Sequence, residues 1–463
     1  MRSHNIQRSG FTLIELLVSM AISLVMVYAL VRFMTFVGDS VGDGRAMIEL
    51  SGQLRGVRQR LHDDLSSLTV EVRPWADDGA GAGYFEIFEG IRSDVDRDGD
   101  FTLDVPTTNT SLFGDFDDYL GMTIQAKGEP FVGKLNGSMI NSQVAEVIWY
   151  TAWDDKNNDG IPDDGEARYL YRRQLLVLPG MTPVTLADVN AVQQWQRDND
   201  MSVNITASMG QYVLRSNSLA DLSRRENRFG REIGFTLPSP NAYSYPVNRR
   251  FPARLIDGVV ANDLINTLSP NPHIFTGNRL GEDVQLSRCL AFDIRVFDPT
   301  APILNNSNSD SAGPSDVFDV SAANMVGRGA YVDLGYNRYM SGYTGSGLPS
   351  MFSGLPDSKS QLNFSNPSPY AYTAVYDTWS MTYERDGINQ ADNITIPSGG
   401  SNIDEGTNGI DDDNNNGVDD VGERETSPPY PVPLRGIQVM IRAYDPDTRQ
   451  MRQATVIADF VPE

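Results

Sequence analysis

The clearest pattern along the chain is an apolar run near its start. From residue 11 to residue 37 most positions are apolar, and residues 16–31 carry no charge. As a helix rising about 1.5 Å per residue, these 27 residues extend about 40 Å, more than the roughly 30 Å of a hydrocarbon layer. The run is too long for a secretory signal peptide, and no small-residue cleavage pattern follows it. It predicts a transmembrane helix. Arg2 and Arg8 precede it, which keeps that end in the cytoplasm and sends the remaining bulk across the membrane. Gly38, Gly42 and Gly44 come next. Each weakens a helix relative to Ala, so they predict a flexible or melted stretch. Beyond them Met47, Leu50, Leu54, Val57, Leu61, Leu65 and Leu68 recur at spacings of three and four. That is the signature of an amphipathic helix with one apolar face. His62 lies in it as a surface or packing histidine.

From about residue 70 the periodicity becomes strand-like. Residues 84–88, 119–125, 144–151, 168–178 and 290–297 predict strands, and 436–444 with 451–460 predict a terminal hairpin around the turn at 445–448. Residues 180–250 mix signals, with helix-like pieces at 186–197 and 218–226. Residues 299–372 are rich in Ser, Asn, Gly and Pro and read as an irregular insertion. The expected fold class is α+β: a long N-terminal transmembrane/amphipathic helix packed on antiparallel β-sheets, with long loop insertions. The expected organisation is a leader at 1–10, a transmembrane helix at 11–37 and an amphipathic helix at 38–70. A β-rich region at 71–298, the insertion at 299–372 and an acidic loop with the hairpin at 373–463 complete one composite unit.

Composition narrows the function. Hydrophobic residues make up 40% of the 463, enough for a sizeable core. Lys and Arg number 37 against 61 Asp and Glu, a formal charge of −24. That balance argues against nucleic acid as a partner, because phosphate binding needs cations. One cysteine, Cys289, cannot form an intramolecular disulfide, and three scattered histidines cannot build a His-rich zinc site. Cys289 adjoins the apolar strand at 290–297 and reads as a packed thiol.

Glu15 stands near the start of the apolar run. A buried unpaired carboxylate is costly, so an intramembrane Glu needs a cationic partner. The plain alternative is a signal anchor with Glu15 at the interface. The run Gly10-Phe11-Thr12-Leu13-Ile14-Glu15 resembles the type IV prepilin signature shared by pilins and type II secretion pseudopilins. The resemblance implies cleavage after Gly10 by a membrane-embedded prepilin peptidase and methylation of the new amine on Phe11. It implies that Glu15 pairs with the terminal amine of a neighbouring subunit during assembly. Other minor and major pilins or pseudopilins are the implied partners. The implied location is the inner membrane, single-pass, with the globular domain in the periplasm or outside the cell. Leader removal would carry the formal charge to −26 before the new amine is counted. The strand at 144–151 followed by Leu170-Tyr171-Arg172-Arg173 further resembles a segment of the J-type (W-type) minor pseudopilins.

Three acidic loops carry candidate metal chemistry. Asp155, Asn157 and Asp159 before Gly160, with Asp163 and Glu166, match the calcium-loop pattern in full. Asp412, Asn414 and Asn416 before Gly417, with Glu423, match it again. Asp94, Asp96 and Asp98 before Gly99 match its first half, with Val105 where the closing Glu would stand. Side-chain oxygens at alternate positions converge because the chain turns sharply at Gly, and a distal Glu closes the sphere. The loops lie between strands, so the expectation is structural Ca2+ without flanking helix pairs. The competing reading is a solvated acidic turn.

These observations predict a minor pilin or pseudopilin subunit and not an enzyme. Its size suits a minor subunit at or near the tip of a short filament. A second class is a pilus-tip adhesin using Tyr331, Tyr336, Tyr339, Tyr343, Tyr370 and Tyr372 of the insertion. A third is an exported enzyme anchored by the helix, but no carboxylate pair is singled out.

Overall fold

The computed structural model describes residues 12–74, 82–89, 118–153, 167–208, 211–224, 227–229, 277–279, 281–304, 325–335, 375–378, 405–420, 432–446 and 448–460, and residues 352, 380, 381, 385, 422, 423 and 430. Helix α1 (Leu13–Leu65) runs unbroken for 53 residues. It passes straight through Gly38, Gly42 and Gly44, so the predicted melted stretch is helix. Each interior Gly costs about 1 kcal/mol relative to Ala, but helix propagation is cooperative and long flanking turns carry the segment. The amphipathic half ends earlier than residue 70: Ser66 caps the helix, its amide donating to the carbonyls of His62 and Asp64. Leu50, Leu54, Val57, Leu61 and Leu65 are buried on the predicted face. Met47 stays exposed, and Leu68, beyond the helix, bridges to Ile124.

Strands β1 (Phe85–Phe88), β2 (Tyr119–Gln125), β5 (Val144–Trp153), β6 (Arg168–Leu176), β10 (Val284–Ser287) and β13 (Val375–Asp377) form a six-stranded sheet ordered β10-β6-β5-β2-β1-β13. A second sheet, ordered β12-β11-β14-β15, contains β11 (Cys289–Leu304), β12 (Met325–Val332), β14 (Gly436–Asp445) and β15 (Gln450–Asp459). Helix α1 packs mainly on β15, with further contacts to β14 and β10. One large core joins its buried leucines to Phe85, Leu120, Trp149, Phe292, Ile437 and Val456. The first sheet is covered on its other face too, where Phe88, Tyr119, Ile148, Tyr150, Tyr171 and Phe229 cluster. Burial on both faces explains why β2 and β5 read as nearly continuous apolar runs.

The region of mixed signals holds a smaller module. Strands β7 (Val184–Leu186), β8 (Val203–Ser208) and β9 (Gln211–Ser216) pair in the order β7-β9-β8. Helix α2 (Val189–Asp198) begins where Asp188 caps it by accepting from the Ala191 amide at 2.8 Å. Residue 186 therefore belongs to a strand and not to the predicted helix. Helix α3 is a single turn (Leu219–Leu222) capped by Ser218. Strands β3 (Phe131–Leu135) and β4 (Ser138–Ser142) make a separate hairpin turning at Asn136 and Gly137, both with positive φ.

The 299–372 segment is not wholly irregular. Strand β11 continues to Leu304, and β12 returns to pair with it, Phe297 opposite Tyr331 and Ile303 opposite Gly327. Two glycines in β12, Gly327 and Gly329, hide its alternation. Gly329 holds φ of 100° against the Phe297 ring. The pairing partner, not the local pattern, makes this strand.

Candidate functional sites

The first candidate is the exposed half of α1. Thr12 is its N-cap, and the cap is reciprocal. The Glu15 amide donates to Thr12 Oγ1 at 3.3 Å, while Glu15 Oε2 accepts from the Thr12 amide at 2.8 Å and from Thr12 Oγ1 at 3.0 Å. A carboxylate in a first helical turn also meets the positive end of the helix dipole. Gly10 and Phe11 lie outside the described residues. From Leu13 to Val37 the apolar side chains are exposed, Leu13 at 79% and Phe36 at 70%. Such a surface is stable only in lipid or against neighbouring chains.

The second candidate is the acidic loop between the 3-10 turn Glu405–Thr407 and Glu423. Carboxylate oxygens of Asp411, Asp413 and Glu423 lie within 4.8 Å of one another. Glu423 is fully buried. Its Oε1 accepts from the amides of Asp412 and Asp413, and its Oε2 from the Asp420 amide at 3.1 Å. Asn414, Asn416 and Asp419 adopt positive φ, as does Gly417 at 116°. Of the residues singled out from the sequence, Glu423 joins the group. Asp412 Oδ2 accepts from Asn408 Nδ2 at 2.7 Å, and Asn414 and Asn416 lie in the same turn. Three converging carboxylates are a donor set that suits a hard, oxygen-seeking cation.

The other two loops lie outside the described residues, with Asp155, Asn157, Asp159, Asp163 and Glu166 in one and Asp94, Asp96 and Asp98 in the other. In chain order the first of them falls between β5 and β6, whose described ends pair Trp153 with Arg168.

A family model described as the prokaryotic N-terminal methylation motif matches residues 6–30. At its N-terminus the chain is type IV prepilin-like. No curated protein and no solved structure matches it. The motif and the exposed apolar helix fit a membrane-anchored, single-pass protein of pilin or pseudopilin type. They point to a structural filament subunit and not to an enzyme.

The anchored helix is coupled to the globular part by contacts that the sequence reading missed. Arg172 and Arg173 are adjacent on β6, so they serve opposite faces. Arg172 grips Asp64, in the last turn of α1, with two hydrogen bonds of 2.8 Å, and Trp149 Nε1 adds a third to the same carboxylate at 2.9 Å. Arg173 lies 3.2 Å from Asp283 and 3.4 Å from Asp200, and donates to the carbonyls of Gln196 and Asn199 at the end of α2. The signal was present in the Leu-Tyr-Arg-Arg run, because two consecutive cations inside a buried strand both need carboxylate partners.

Other titratable groups serve the fold. Glu146 is buried, which raises its pKa, and it accepts from Tyr84 Oη, Ser202 Oγ and the Phe229 amide. Cys289 is buried, its thiol pushed up to about 12. His62 is exposed on the last turn of α1.

Proposed function

We propose that the chain is a minor pilin or pseudopilin of a type II secretion or type IV pilus-like filament, of the J type. Prepilin peptidase cleaves it after Gly10 and methylates Phe11. Glu15 then exchanges its local cap on Thr12 for the terminal amine of a neighbouring subunit. The observation that carries this reading is the exposed apolar helix with one carboxylate in its first turn, under a matching methylation motif. That carboxylate is satisfied by hydrogen bonds within the isolated chain but has no cation there among the described residues, so assembly adds the missing charge partner. The continuous helix, clasped at Asp64, carries the globular domain rigidly into a filament of other minor and major subunits, exposed to the periplasm or beyond.

Calcium belongs to the same reading. Asp411, Asp413 and Glu423 would hold it, and its charge would draw together carboxylates that otherwise repel. The bound ion would stiffen the 405–423 loop.

The test uses the full chain, expressed with its native filament genes and captured from detergent extracts in calcium or in chelator. Mass spectrometry should find Phe11 as the methylated N-terminus and should find small prepilin-type proteins as co-purifying partners. Glu15→Ala should keep the processed N-terminus yet lose most of those partners. Chelator should weaken capture. An unprocessed N-terminus, or recovery of external glycans in place of pilins, would overturn the reading and favour an adhesin.

A further inference from the structure

Arg32 is an anomaly in the apolar half of α1. It directly follows the uncharged residues 16–31 and lies on the side of the span away from the cytoplasm, where basic residues are not favoured. An ionisable residue at the end of a span needs a partner. No Asp or Glu occurs between Glu15 and Asp39, so no carboxylate lies within one helical turn of it. Its contact along the helix is Tyr28, one turn back. Arg32 Nε donates to Tyr28 Oη at 3.2 Å, and the guanidinium carbon lies 5.8 Å from the ring centre. Only Nε is engaged in this way among the described residues, and both side chains are exposed.

Helix length states what Arg32 meets. Glu15 and Arg32 are 17 residues apart, about 26 Å along a helix. With Glu15 at the cytoplasmic boundary of a hydrocarbon layer of about 30 Å, the Arg32 backbone lies roughly 4 Å below the opposite boundary. An extended arginine snorkels across that gap. The planar guanidinium presents a fork that fits phosphate oxygens two at a time, and tyrosine favours the same headgroup level.

We propose that Arg32, oriented by Tyr28, binds the phosphate of a phospholipid headgroup in the leaflet facing the globular domain and so sets the depth of α1 in the bilayer. This rests on the reading of α1 as a membrane anchor. It assigns an end to a run that is too long for the layer. Phe36 and Val37, exposed apolar side chains, are held out of the hydrocarbon instead of being drawn in.

The test places single cysteines at Ala29, Val31, Phe33, Thr35 and Val37 of the full chain, reconstituted in phosphatidylethanolamine–phosphatidylglycerol vesicles with the globular domain outward. Native Cys289 is buried and stays silent to a membrane-impermeant maleimide. The expected pattern is labelling at 35 and 37 with protection at 29, 31 and 33. Arg32→Leu, an exposed helical change that leaves the globular fold intact, should extend protection by about two to four residues, to 35 or 37. Vesicles of digalactosyl lipid, which lack phosphate, should shift the unmodified boundary in the same direction. An unmoved boundary in Arg32→Leu overturns the proposal. So does an unmoved boundary in galactolipid, which would assign the partner to water. Labelling at all five positions would instead overturn the anchor reading itself.

Discussion

Asp283 shows how much of this protein's chemistry depends on single buried charges. It faces Arg173 on β6, with Arg279 and Glu282 on its own segment and Asp200 after α2. Burial pushes its carboxyl up to about 6, although the two arginines pull it down. The sign of the consequence is definite. Between the ordinary Asp range near 4 and about pH 6 the folded protein holds a proton that the unfolded chain has released. The contribution of Asp283 to stability is therefore full at low pH and is lost as pH rises through about 6. Denaturant unfolding at pH 4, 5, 6 and 7 should show this against Asp283→Asn. The stability of the native chain relative to the variant should decline by on the order of 1 kcal/mol per pH unit across that window. Parallel curves would refute it. At this scale the sequence exposed Glu15, Cys289 and His62, whose settings follow from neighbouring residues. It did not expose the approach of Asp411 and Asp413 to Glu423, because the pattern that Asp412 opens includes neither of them. The partners of Arg172 and Arg173 were hidden too, since Asp64 lies 108 residues away.

Strand β13 is the element that depends most on one side chain. It is three residues long and sits at the sheet edge, with Asp377 directly opposite Glu86 of β1. Two carboxylates at facing positions repel. Arg228 lies between them, 2.8 Å from Asp377 and 3.2 Å from Glu86, with its guanidinium 4.1 Å from the centre of the Tyr84 ring. Removing one partner of a buried charge cluster costs several kcal/mol. Arg228→Met should therefore raise hydrogen exchange at the amides of Phe85–Phe88 and Val375–Asp377, with stability down by about 3 to 5 kcal/mol. Adding Glu86→Gln and Asp377→Asn to that variant should restore much of the protection, because the repulsion goes with the charges. If the triple variant exchanges as fast as Arg228→Met, the arginine acts by packing instead. Elements with clean periodicity were legible: α1 beyond its glycines, β2 and the β14–β15 hairpin. Strands β12 and β13 were not, since glycines or shortness erase alternation and their partners are remote.

The whole molecule is strongly acidic, at −24, and its self-repulsion opposes compaction. A divalent cation in the 405–423 loop would offset part of this. At an affinity near 1 mM, typical of extracellular sites, 10 mM Ca2+ should stabilise the folded chain by about 1.4 kcal/mol. Thermal unfolding in Ca2+ and in chelator measures that difference. Asp413→Asn should abolish most of it, and a Ca2+ effect that survives the change would move the ion to another loop.

Sequence alone determined the long apolar helix, its lone carboxylate, the methylation motif, the α+β class and the principal strands. Each rests on contacts between residues near in the chain, or on the side-chain period of an element buried on one face. Tertiary structure determined that α1 is unbroken, that Cys289–Leu304 and Met325–Val332 build a paired ribbon, and that arginines on β6 and after α3 clasp distant carboxylates. Those outcomes come from packing and charge pairing across dozens to hundreds of residues, which leaves no periodic trace in the order of amino acids.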